Sequence, residues 1–101
     1  MRAVQVEYFP EASRELEDAL DWYLQRSQQA AEAFLREVDR ALAVIAGGPT
    51  IWPRFEAGTR RYLLHRFPYN IIYRETGVGI EVVAVAHQKR RPRYWHRRLR
   101  R

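Results

Sequence analysis

From residue 60 onward the chain reads as three strand-like runs with almost nothing between them. RRYLLHR (60–66), YNIIYRE (69–75) and IEVVAVAH (80–87) are separated only by Phe67-Pro68 and by Thr76-Gly77-Val78-Gly79. A parallel neighbour needs a crossover of about a dozen residues or more. Connections this short therefore make the three runs consecutive antiparallel neighbours, a meander, with the glycines marking the second turn. The third run is almost continuously apolar, which is the pattern of a central strand buried on both faces.

The first half has a different period. Residues 2–8, RAVQVEY, alternate in part and predict a first strand. Pro10 suits the first turn of a helix, where its missing N–H costs nothing. To about Arg26 the spacing is helical, with Leu16, Leu20, Tyr23 and Leu24 forming one stripe. Ser27 is placed to cap a second helix. Its apolar stripe is Ala30, Phe34, Val38, Ala41, Leu42 and Ile45, and Gly47-Gly48-Pro49 ends it. The two helices are nearly contiguous, so they predict an antiparallel hairpin. Residues 49–59 form a loop that Trp52 and Phe55 are expected to pin to the body. The expected fold is α+β, in the order β-α-α-β-β-β. An antiparallel sheet of about four strands packs one face on the helix hairpin and leaves the other partly open. The 101 residues suit one domain, 1–101.

An apolar content of 47% supports a modest core, and the absence of cysteine excludes disulfides and thiolate metal sites. MRAVQVEYFP lacks the apolar stretch of a signal peptide, and no run approaches the length of a membrane span. The reading is a soluble, cytoplasmic protein without membrane association. Charge is unevenly distributed. The chain carries +6 overall, yet HQKRRPRYWHRRLRR (87–101) holds eight Lys or Arg and no acid, while the remainder has ten basic and twelve acidic residues. Such asymmetry favours a polyanionic partner, either nucleic acid or an acidic protein segment. A frayed, solvated basic tail from about residue 96 is the bland reading of its last residues. Arg60, Arg61, Tyr62, His65, Arg66, Tyr69, Tyr73, Arg74 and His87 add basic and aromatic character to the later strands. On an open sheet, Arg would neutralise phosphates and rings would stack on unpaired bases. For any single tyrosine, strand packing is the simpler reading. Three scattered histidines without matching carboxylates do not make a metal site, and no cofactor-binding motif is present.

The stretches RRYLLHRFPYNIIYRE and IEVVAVAHQKRRPRYW, with EASRELEDALDWYLQRS and FLREVDRALAVIAGGP on the helices, resemble the RelE/ParE superfamily. These are toxins of bacterial type II toxin–antitoxin modules, often called plasmid stabilisation proteins. The most specific part is FPYNIIYR with HQKRRPRYW at their mutual spacing. The resemblance implies a small basic toxin in a hetero-oligomer with a cognate small antitoxin that covers its groove. It also implies one of two targets: mRNA, cleaved on the ribosome by a metal-independent endoribonuclease, or DNA gyrase, blocked without a catalytic site in the ParE manner. A module that binds nucleic acid or assembles without toxicity is the alternative.

Metal-free RNA cleavage needs a base, an acid and cations around the phosphorane. His87, ending the central strand, is the acid or base candidate. Arg66 and Arg90 would stabilise charge, and Tyr94 would orient substrate or stack on a base. Glu56 is an alternative base. Arg61 and Lys89 would hold phosphates, while Tyr73, Arg91, Arg93 and Trp95 extend the target-binding set. One departure stands out. RelE-like ribonucleases usually carry Arg immediately before the apolar core of the third strand, where this chain has Asn70. That position and FPYNIIYR lean toward the ParE side.

Overall fold

The computed structural model describes residues 4–100. The elements follow the expected order: β1 (Gln5–Tyr8), α1 (Pro10–Leu24), α2 (Gln28–Gly47), β2 (Arg60–Leu63), β3 (Tyr69–Glu75) and β4 (Gly79–His87). The first strand was expected to begin at residue 2; residues 2 and 3 lie outside the described range. Phe9 caps α1 and Pro10 occupies its first turn. Arg26 donates to the Trp22 carbonyl at 2.9 Å as that helix ends. Ser27 then accepts the Ala30 N–H at 3.2 Å and starts α2. The buried stripe of α2 is Ala31, Phe34, Val38, Ala41 and Ile45. Ala31 is buried where Ala30 was expected and Ala30 is half-buried, while Phe34, Val38, Ala41 and Ile45 stand as expected.

The sheet order is β1-β4-β3-β2. The three later strands form the antiparallel meander, and β4 is interior and almost wholly buried. The sheet as a whole is mixed, because β1 pairs parallel with β4, Gln5 opposite Gly79 through Tyr8 opposite Val82. The helix hairpin is long enough to serve as the crossover a parallel pairing needs. β2 stops at Leu63, short of the expected Arg66. The Glu37 carboxylate on α2 accepts the backbone N–H groups of His65 and Arg66, turning the chain away from the ladder.

Alternation along the paired strands separates the two faces. Tyr69 and Val85 share a cavity with α1. Arg61, Asn70, Ile72, Ala84 and Ala86 lie opposite one another on the far face. That face is not open: Ile72, Ala84 and Ala86 are all buried. The loop carrying Trp52 and Phe55 covers it together with the segment after β4. Trp95 is 2% exposed, belongs to the core cluster, and packs 6.0 Å from Phe55 between ring centroids. The frayed end expected from His96 is instead a docked 3₁₀ turn, His96–Arg100, with Leu99 against the core.

Candidate functional site

β1 is only four residues long, and its last contact along β4 is the Phe9 N–H on the Val82 carbonyl. Beyond that point one edge of β4 has no strand beside it. Unpaired buried backbone groups are costly, and two side chains take the place of the missing strand. Glu15 of α1 accepts the Val85 N–H at 3.0 Å, and Arg98 donates to the Val83 carbonyl at 3.0 Å. The two then join each other: Arg98 grips Glu15 with both terminal nitrogens, at 3.0 and 2.9 Å. The Tyr94 hydroxyl donates to the same carboxylate at 2.6 Å. Burial, and then the hydrogen bond to Glu15, push the Tyr94 phenol upward. Burial works to lower the Arg98 pKa, but the hydrogen bonds and charge of Glu15 outweigh it, so the net shift is upward.

A second clamp holds the same segment to the loop before β2. Glu56 receives Arg93 at 2.9 Å and lies 3.5 Å from His96 Nε2. Both sides of this clamp contain a non-glycine residue in the left-handed region, Ala57 at φ 59° and Arg93 at φ 67°. Such residues persist only where surrounding contacts hold them. The Arg61 guanidinium lies 4.4 Å from the Phe55 ring centroid beside this clamp.

His87 sits at the junction of two cavities. One, of about 410 Å³, lies between α1 and the ends of β3 and β4; Glu15, Trp22, Tyr69, His87 and Arg90 are among its walls. The other, of about 150 Å³, lies on the far face and is lined by Arg61, Asn70, His87, Arg90 and the segment to Trp95. His87 Nδ1 accepts the Lys89 N–H at 3.0 Å, which places the proton of a neutral ring on Nε2. Its ring stands edge-on to Tyr69, with centroids 5.0 Å apart. Asn70 Oδ1 is buried without a hydrogen-bond partner among the described residues.

The structure therefore brings His87, Arg90, Arg61 and Tyr94 together, with Arg91 and Arg93 on the same rim. It does not bring Arg66 there. Arg66 is exposed in the turn after β2, its N–H on Glu37, and it lines neither cavity. Lys89 is exposed just beyond β4. Tyr73 and Trp95 are corrected as target-contacting residues. Tyr73 is 0% exposed and its hydroxyl donates to the Pro49 carbonyl at 2.7 Å, with burial pushing the phenol to about 12. Trp95 is core. The sequence placed both in the target-binding set, and aromatic character alone does not tell a stacking ring from a packing one. Glu15 and Arg98 escaped the sequence reading. Their partnership spans 83 positions, and one helical glutamate among several carries no distinguishing pattern.

Among the described residues no group of three or more metal-ligating side chains gathers, and no helix is long and apolar enough to cross a membrane. A four-stranded mixed sheet packed on a helix pair is a RelE/ParE-like fold. Residues 6–92 match the model of the ParE toxin of type II toxin–antitoxin systems, parDE, so the chain belongs to the ParE toxin family of that superfamily. It is similar in fold to the chromosomal ParDE toxin–antitoxin system from P. aeruginosa, at 16% sequence identity and a TM-score of 0.71, covering 84% of this chain and 96% of that one. It is also similar to the isolated RelE toxin from E. coli, at 16% identity and a TM-score of 0.60, covering 97% of this chain and 98% of that one. No curated protein matches it in sequence. Membership makes it the toxin of a type II system and implies a cognate antitoxin as partner.

Proposed function

We infer that this toxin arrests growth by binding, without chemistry of its own, and that its target is DNA gyrase. The observation that carries this reading is the commitment of Tyr94 to Glu15. An RNA-cleaving site needs a free acid, a free base and cations around one phosphate. Here the Tyr94 hydroxyl and the Glu15 carboxylate satisfy each other and Arg98. Glu56 is engaged by Arg93. Arg66 is outside the site, and Asn70 stands where an arginine would stabilise the phosphorane. The antitoxin neutralises the toxin by covering the groove of about 410 Å³ beside α1, whose wall includes Trp22, 50% exposed.

One observation favours the ribonuclease as a second reading. His87 and Arg90 line the same two cavities, and His87 keeps Nε2 for an outside partner. Induction of the toxin without antitoxin separates the two readings. The binding reading expects DNA-damage signalling, inhibition of gyrase supercoiling by the purified toxin, no new mRNA 5′ ends by primer extension, and toxicity that survives His87→Ala. New mRNA ends that vanish with His87→Ala would replace it with the ribonuclease. Normal growth under strong induction would point to the non-toxic alternative.

A further inference from the structure

The segment after β4 is the most charged stretch of the chain, with seven basic residues and no acidic one between Lys89 and Arg100. These charges fall into two groups. Arg98 is bound to Glu15, Arg93 to Glu56, and Arg90 lies over the Tyr94 ring at 3.9 Å from its centroid. Lys89, Arg91, Arg97 and Arg100 are exposed, and among the described residues none has a carboxylate within 4.0 Å. Arg91, Arg97 and Arg100 converge on one cleft of about 590 Å³, which Arg90 and Arg93 also line and which has Glu11 as its one acidic member.

The chemistry of this cleft selects its ligand. A protein-docking surface is built round a desolvated core depleted of charge. Here the lining residues besides the arginines and Glu11 are only Pro92, Tyr94 and His96; the Tyr94 ring lies under Arg90 and Arg98, and His96 Nε2 faces Glu56 at 3.5 Å. Single-stranded nucleic acid is held by stacking its bases on exposed rings. None is offered, because Trp95 is buried. What remains is a group of guanidinium forks suited to phosphate oxygens, held by a segment that two clamps fix in place. Duplex DNA presents one phosphate charge per ~1.7 Å of axis and needs no stacking platform.

We propose that the cleft of Arg91, Arg97 and Arg100 binds the phosphate backbone of duplex DNA without sequence preference. The inference rests on the gyrase reading only for its use: bound to that enzyme, the toxin would also grip the DNA the enzyme holds. Binding itself is measurable without gyrase, by fluorescence anisotropy of the purified toxin with a labelled mixed-sequence duplex and with one of its single strands. With about three phosphates neutralised, log Kobs should fall against log salt with a slope of about −2.7, roughly 40-fold between ~50 and ~200 mM. Arg91→Ala or Arg97→Ala should each weaken binding several-fold and reduce the slope by about one. Arg40→Ala, on the exposed side of α2, should change neither.

Tighter binding of the single strand, a salt-independent affinity, or equal competition by a polyglutamate peptide would overturn the proposal, the last by showing an acidic-protein site. The same proteins are then tested on gyrase supercoiling. Gyrase inhibition with no DNA binding overturns the cleft and leaves the functional reading standing. DNA binding with no gyrase inhibition does the reverse.

Discussion

Replacing Glu15 with alanine should cost this protein a large part of its stability, because one carboxylate serves three buried donors. Glu15 and Arg98 have side chains only 14% and 10% exposed. Glu15→Ala strands the Arg98 guanidinium, the Val85 N–H and the Tyr94 hydroxyl together. Breaking a buried ion pair by removing one partner costs about 3–5 kcal/mol, and an orphaned buried donor about 1–3 kcal/mol. These costs overlap, and Arg98 can turn toward water from its surface segment. The expected loss is therefore about 3 kcal/mol, near the low end of the pair cost. Against a total of about 5–15 kcal/mol for a domain of this size, that is a substantial fraction. It corresponds to a fall in Tm on the order of 15 °C. Urea and thermal denaturation followed by far-UV circular dichroism measure it. Arg98→Leu in the Glu15→Ala background removes the stranded charge and should recover part of the loss, a coupling a double-mutant cycle reads directly. A loss below about 0.5 kcal/mol, the level of an ordinary surface substitution, or simple additivity of the two substitutions, would refute the view that this pair closes the β4 edge.

Two further outcomes are expected. At Gly79 an added Cβ would lie 1.9 Å from the Gln5 carbonyl oxygen, so Gly79→Ala must push β1 off β4; hydrogen exchange should then quicken across Gln5–Tyr8 while β2 and β3 keep their protection, and unchanged protection in β1 would contradict the close approach. Burial holds the Tyr73 phenol at about 12, above its unfolded value of about 10, so its contribution is complete below pH 10 and is lost as pH rises to about 12. Tyr73→Phe should cost about 1 kcal/mol at neutral pH through the lost bond to Pro49, and should make the alkaline decline shallower; an unaltered decline would count against that assignment.

The parts of the fold that depend on local pattern were legible. Ser27, Pro10 and Gly47-Gly48-Pro49 punctuate the helices as their chemistry demands, and the run 69–75 is β3 residue for residue. What escaped was set by contacts between distant segments. The parallel pairing of β1 depends on where the hairpin returns the chain, which no local spacing encodes. β2 ends early because Glu37 on α2 captures two amides. The far face looked open because its cover, Phe55 in the loop before β2 and Trp95 after β4, is set by contacts between distant segments that local composition does not encode. For the candidate site, His87, Arg90, Arg61 and Tyr94 do meet. Yet the partner that decides what Tyr94 can do is Glu15, 79 positions away.

That partnership also explains how one segment can be both structural and adhesive. A cation near a carboxylate in a partly buried place is held by it, whereas a cation without one remains available to an outside anion. α1 supplies Glu15 and the loop before β2 supplies Glu56, and each anchors the arginine facing it, Arg98 and Arg93. The placement of Arg91, Arg97 and Arg100 around these anchors leaves the unpaired charges outward on a segment that cannot swing freely. Preorganisation of this kind lowers the ordering cost of binding. It also engages Glu15 and Glu56, two of the carboxylates in the cavities that His87 and Arg90 line. The acidic residues that fold the basic segment down are thus the same ones that decide which of its arginines stay free.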